Sequence, residues 1–469
     1  MQREVSPASV ASTASRPKSI SSARAPPAPA PRPALYPVAL ALKKLTISGV
    51  AFLVVFWVVA LWLFGSLYQT SSHTHKLSVA IVDFDGGPVG TALLSAVAAV
   101  NGQDNYPTFR ILAANSTSPS GVLHQVWVGR YWGSIVATSG ASSRFDAAVA
   151  SASAASTYDA SQALEYSGLE VRYTTAWSGV VLPALNKVMQ SAYARFDRDT
   201  VAPLLSSGTA YSAASAQVLA SPLAATFVNQ TPFAYGTRIV LNTIAFVLPF
   251  LFQFFFLLSW NGLFLALGVY RNMSFARHVK FRVAISLVWT LVTSLCSVAW
   301  GAMFDEGYSL DAKQFFALWT VHCQLTARLL PHRRVFSMIT LDTLDCVTPW
   351  APLPAVPFLV VSIIITSIAA IIWPFELSND FYRIHLVFPS HAAWSIIITI
   401  LGRGCVNTLS RDAPILAAWL VVLKAGVLLS LRRRARQGLA LADVEDKAPA
   451  SPATATSGQQ EQQLDVEKV

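Results

Sequence analysis

Apolar side chains along this chain gather in a few runs far longer than a core strand needs. Thr46 to Leu67, TISGVAFLVVFWVVALWLFGSL, carries no charge and is long enough to cross a bilayer. Ile239 to Val269 is a second run, crowded with phenylalanine and broken by Pro249. Val283 to Met303 reads as a third, Ala355 to Trp373 as another, and Pro414 to Leu431 as the last. Between Gln314 and Pro349 the pattern weakens. Phe315 to Ala327 is too short to cross, and Arg328, His332, Arg333 and Arg334 are costly in mid-membrane. Residues 69–238 follow another rhythm. Strand-like runs (Leu77 to Val82, Gly133 to Thr138, Leu169 to Tyr173) alternate with helical stretches over Gly90 to Val100, Ser142 to Ala155 and Trp177 to Phe196. That alternation is the pattern of a mixed α/β domain.

Flanking charge orients these runs. Lys43 and Lys44 precede the first, and Arg271, Arg277, His278, Lys280 and Arg282 follow the second. RRRAR closes the last, and an excess of Lys and Arg marks the cytosolic side. With one more span between Gln314 and Pro349, the main basic loops fall inside and both termini are cytosolic. Six spans satisfy the charge rule; five do not. The expected division is a cytosolic tail at 1–45, a transmembrane anchor at 46–68, and an extracytosolic α/β domain at 69–238. A multi-span membrane domain at 239–431 follows, with an outer loop at 374–412, then a second cytosolic tail at 432–469.

The first 37 residues are rich in Ser, Ala and Pro and hold too few large apolar side chains to build a core, so they read as a disordered tail. Their prolines argue against the amphipathic helix of a mitochondrial presequence. The first apolar run exceeds the core of a cleavable signal and reads as an uncleaved anchor. Asn115 and Asn229 head glycosylation sequons, the second weakened by Pro232. Asn272, in the sequon NMS, falls in a basic, cytosolic loop.

Composition agrees: 54% of the 469 residues are hydrophobic and 12% charged, about half the charge of a soluble domain. The net charge of +10 flanks the apolar runs, so it does not argue for nucleic acid. Cys296, Cys323, Cys346 and Cys405 all lie beyond residue 238, so no thiol pair staples the polar domain.

Asp83 and Asp85, in LSVAIVDFDGGPVG, are the candidate catalytic pair. An Asp-x-Asp after a strand can hold Mg²⁺ and attack phosphate, but the domain offers only Lys76 and Lys187 and no further acidic doublet to complete such a site. The alternative is a strand end, a Gly86-Gly87 turn and a helix opened by Pro88, with Asp85 helping to cap it. No phosphate-binding Gly-rich loop occurs, and the two histidines six apart, His385 and His391, make no metal site. No catalytic, cofactor or metal residues are assigned. Lys424, inside the last run, reads as a lysine snorkelling to the cytosolic end, with a functional role as the rival. Glu376, Asp380, Arg383, His385 and His391 gather beside aromatics in the outer loop, as an aromatic interfacial belt or a substrate gate. The apolar run after His391 is too short to cross before Arg403 and reads as interfacial or re-entrant.

Three segments, LSVAIVDFDGGPVG, VGRYWGSIVATSGAS (Val128 to Ser142) and the stretch from WPFELSNDFYRIHLVFPSH through GRGCVNTLSRDAPILAAWLVV, occur in this order around the apolar runs. In these segments and in span order the chain resembles the nitrosoguanidine-resistance family of fungal membrane proteins. More distantly it resembles ABC-2-type permeases and the phage-infection-protein group. It departs from them between Cys323 and Pro349, where the family has an ordinary apolar span. The resemblance implies an α-helical multipass membrane protein and supplies no catalytic residues. It implies a link to transport of, or resistance to, toxic compounds, through export or altered lipid distribution. The expected partners are the bilayer and small toxic compounds or lipids, with a homo-oligomer left open. The expected location is the plasma membrane. A membrane-anchored outward hydrolase using Asp83 and Asp85, and a receptor or scaffold, are the alternatives.

Overall fold

The computed structural model describes residues 38–233, 241–304, 310–322 and 336–447. The chain divides into two units, residues 1–51 and 52–469. Of the first only the start of helix α1 (Val38–Ser66) is described. The basic stretch Arg328 to Arg334 and Cys323 lie outside the described residues.

After a 3-10 turn at Thr70–Lys76 comes a five-stranded sheet in the order β2-β1-β3-β4-β5. Its strands are β1 (Ser78–Asp83), β2 (Thr108–Leu112), β3 (Gly133–Ala137), β4 (Leu164–Gly168) and β5 (Ala225–Asn229). Strand β1 runs parallel to β2 and β3, β3 pairs antiparallel with β4, and β4 runs parallel to β5. The longer helices of this domain are α2 (Pro88–Val100), α3 (Pro119–Trp127), α4 (Ala141–Ala150) and α5 (Leu182–Phe196). Val79 to Val82 are fully buried, as expected of a central parallel strand covered on both faces.

The third strand differs from the sequence reading: it is Leu164–Gly168, and Leu169 to Tyr173 follows it as a loop. Leu169, Val171 and Tyr173 are nonetheless buried. Their alternation reports burial rather than pairing, and the ladder with β3 closes one segment earlier. Strand β4 ends on Gly168 because Trp177 lies against it: an added Cβ there would meet the indole at 2.0 Å. The Trp177 ring stacks in turn on Phe227 of β5, with centroids 5.8 Å apart.

The longer helices beyond it are α6 (Leu241–Ala266), α7 (Phe275–Met303), α8 (Ala312–His322), α9 (Phe336–Val347), α10 (Val356–Ala369), α11 (Pro389–Leu401) and α12 (Leu409–Lys447). Among the described residues four helical segments are long and apolar enough to cross a membrane: Val38–Lys76, Leu241–Ala266, Phe275–Met303 and Leu409–Gln437. Helix α10 has 14 residues, about 21 Å of helix against a hydrocarbon core of about 30 Å, so it falls short of that length. Pro249 does not break α6, which continues through it.

The segment 374–412 is not an open loop. A 3-10 turn at Asp380–Val387 bends by 80° into α11. Helix α11 is buried along most of its length, packed against α8, α9, α10 and α12. Helix α9 is likewise buried all round, including Asp342 and Asp345.

Candidate functional site

Asp83 and Asp85 are held by the backbone around them. Asp83 Oδ1 accepts from the N–H of Asp85 and of Gly86, both at 2.9 Å. Asp85 Oδ2 accepts from Gly87 N–H at 3.1 Å and from the Ser142 hydroxyl, while its Oδ1 accepts from Ser142 N–H at 2.8 Å. The Ser142 hydroxyl itself accepts from Val89 N–H, an otherwise orphaned donor of the first turn of α2. The aspartates thus clasp the end of β1 to the starts of α2 and α4. Gly90 is small because Asp83 leans over it: a Cβ there would come within 2.0 Å of that carboxylate.

The sequence-selected residues of 374–412 join this domain to the bundle. Arg172 donates from Nη2 to Glu376 Oε1 at 3.2 Å and from Nη1 to the Gly129 carbonyl at 3.3 Å. Its guanidinium lies 3.8 Å from the Trp132 ring centroid. Burial pulls the Arg172 pKa down and Glu376 pulls it back up; an arginine under those opposing effects keeps its charge. Asp380 pairs with Lys76 and with Arg383, both at 3.1 Å, on the exposed side of the turn. His385 is buried and accepts from the indole of Trp62. Beside Arg172, a recess of about 140 Å³ is lined by Trp132, Tyr173, Glu376, His391, Ser395 and Arg411.

A second cavity, about 160 Å³, lies between α6, α7, α8 and α11. Its walls are almost wholly apolar and include Ala245, Leu248, Pro249, Val298, Gly301 and Ile397. Ile244, Trp300 and Phe304 line it too and are exposed, so the cavity reaches the outer surface of the bundle.

Between the C-terminal half of α9 and the middle of α12 the bundle interior is charged. Arg282 of α7 grips Asp345 of α9 with both ends of its guanidinium, at 2.7 and 3.0 Å, and also donates to Asn261 at 3.1 Å. Arg434 of α12 adds a second cation 3.2 Å from Asp345. One turn away Lys424 of α12 places Nζ 3.0 Å from Asp342 Oδ1 and 2.9 Å from Oδ2. Lys424 therefore reaches sideways to a carboxylate instead of running to the helix end. The two aspartates escaped the sequence reading because LDTLDC lies in the stretch where the apolar pattern is interrupted. Their signal is a pair of carboxylates three apart on one helical face, within apolar neighbours. Among the described residues no group of three His, Cys, Asp or Glu side chains is placed to share a metal ion.

Among curated proteins none matches this chain, and among solved structures none does. Residues 48–425, which hold the clasp, the junction, the apolar cavity and most of the charged interior, match one family throughout. By that match the chain belongs to the family described as a protein of unknown function (DUF3533).

Proposed function

We infer that this protein takes up lipophilic molecules from the membrane and acts in their transport or in resistance to toxic compounds, by export or by altering lipid distribution. The observation that carries this reading is the apolar cavity whose rim residues Ile244, Trp300 and Phe304 stand at the bundle surface. A pocket with this lining accepts an apolar molecule by shape and close packing, because the lipid that the molecule leaves is as apolar as the pocket walls. The resemblance to the nitrosoguanidine-resistance proteins and the permeases supports the same reading. The commitment of Asp83 and Asp85 to backbone donors supports a non-enzymatic role over the hydrolase.

In this reading the sheet domain lies outside the cytosol, both termini lie inside, and α8 and α9 together make a fourth of six crossings in the plasma membrane. Asn115, exposed in a short turn, then carries glycan, and Asn272 does not. Sugar on Asn272 would invert the arrangement.

The test is Gly301→Leu. An added Cβ at Gly301 meets open space, so the larger side chain fills the cavity without a backbone clash. Cells that depend on the protein for resistance to a lipophilic toxin should lose that resistance while the variant reaches the membrane at normal levels. Unchanged resistance in the variant, or no change in sensitivity when the gene is deleted, would overturn the reading.

A further inference from the structure

Asp342 and Asp345 stand one turn apart on α9, each at most 6% exposed, yet they hold different kinds of cation. Asp345 lies between two guanidiniums, Arg282 and Arg434, which keep their charge at any pH a cell meets. Among the described residues Asp342 pairs with a single cation, the amine of Lys424, on a different helix. An ion pair buried among apolar helices is held together by attraction that must offset the loss of water from both charges. With one cationic partner among the described residues, that balance is changed by a single proton. The side chain of Lys424 is 36% exposed and that of Asp342 5%, so the pair has one sheltered and one accessible end. Lys424 stands eight residues, about 12 Å of helix, before Arg432 at the start of the basic run, which places the pair within the span rather than at its edge.

The geometry points to Asp342 as a proton-binding site within the membrane domain, opened and closed by Lys424, so that the proton is the coupling ion of the transport proposed above. Hydronium gives its proton to the Asp342 carboxylate, leaving water and a neutral carboxyl group. The pair passes from net zero to one positive charge, and the Lys424 ammonium loses its counter-ion. Helices α9 and α12 then lose this ion pair, while the Cys346 thiol on the Leu423 carbonyl and the Asp345–Arg434 pair still join them. Among the described residues the charges that act on Asp342 are those of Lys424 and Asp345. Around them stand Cys346 on the same helix, its thiol 3.3 Å from the Leu423 carbonyl, and His278 and Arg282 from α7. Arg434 faces Asp345 from α12, and α6 contributes the uncharged Asn261, which accepts from Arg282. The absence of a nucleotide-binding loop in the chain leaves such a coupling ion a place in the mechanism.

The coupling rests on the proposed transport role; the proton site itself does not, and the test separates them. Full-length protein in phosphatidylcholine vesicles is acidified stepwise and followed by infrared difference spectroscopy. The wild type should gain a buried carboxylic-acid band that Asp342→Asn lacks, and Lys424→Met should gain it at about 10-fold lower proton concentration or less, the effect of losing one adjacent opposite charge. Should Asp342→Asn fail to elute as a folded species, the double variant with Lys424→Gln, which leaves neither charge unpaired, takes its place. A band that survives in Asp342→Asn or in the double variant, or its absence from folded wild type, overturns the proton site. Movement of a fluorescent acyl-labelled phosphatidylcholine should respond to a pH gradient in the wild type and lose that response in Asp342→Asn. A response that persists in the variant overturns the coupling. If Gly301→Leu leaves probe movement intact while the infrared band behaves as expected, the cavity reading fails and the proton site stands.

Discussion

Trp62 of the first helix donates its indole N–H to Nε2 of His385, 323 positions later, at 3.0 Å. Because Nε2 accepts, the ring proton sits on Nδ1, and the imidazole is held neutral in one tautomer. The same indole packs edge-on against Phe381 and Tyr382, so α1 is keyed to the 3-10 turn by one polar and two aromatic contacts. Trp62→Phe keeps the aromatic contacts and removes the donor. It should cost about 0.5–1.5 kcal/mol of stability in detergent, and combining it with His385→Phe should cost less than the sum. Strict additivity in that double-mutant cycle would show that the bond contributes nothing.

The Asp85–Ser142 clasp predicts a structural phenotype. Ser142→Ala removes one partner of Asp85 and leaves Val89 N–H without its acceptor, for about 1–3 kcal/mol. Asp83→Asn should also destabilise the sheet domain. Neither variant should change a Mg²⁺-dependent phosphatase rate, because the wild type should show none. Phosphatase activity abolished by Asp83→Asn would reinstate the hydrolase.

Gly168→Ala should be among the most damaging small substitutions in the sheet domain. The added methyl meets the Trp177 ring at 2.0 Å, and neither the strand nor the buried indole can yield without disturbing the stack on Phe227. Overpacking of this kind costs about 1–3 kcal/mol or more. Trp177→Leu should recover part of the loss by making room. A neutral Gly168→Ala in thermal unfolding would mean that the indole is free to move.

Tyr158 gives the domain an alkaline sensitivity. Its hydroxyl donates to the Pro222 carbonyl at 2.6 Å, and burial, the main cause, raises its pKa from 10.0 to about 12. The folded state therefore holds the phenolic proton more tightly than the unfolded chain. That stability is fully present below the unfolded pKa and is lost as pH rises through the folded one, between about 10 and about 12. Tyr158→Phe should be the less stable protein at neutral pH, and the gap should close across that interval. Parallel pH profiles for the two proteins would contradict the assignment.

Local chemistry written in consecutive residues was legible without the fold. The apolar lengths of Thr46 to Leu67, Val283 to Met303 and Pro414 to Leu431 demand a membrane-spanning helix wherever they sit, since a helix hides its own polar backbone. The turn after Asp83 could be read the same way, because Gly86, Gly87 and Pro88 restrict the backbone within a few residues. Strands β2 and β5 were not legible: they are five residues each and lie at the two sheet edges, where fewer positions are forced to be apolar. Nor could the sequence say that Lys424 would meet Asp342, or Arg172 meet Glu376. An isolated charge in an apolar run has two ways to avoid hydrocarbon, reaching for water along its own helix or for an opposite charge on another. Which is taken depends on where helices 82 or 204 residues away in sequence are packed. Only the tertiary structure decided that, because the partner's distance is set by helix packing and the local sequence carries no record of it.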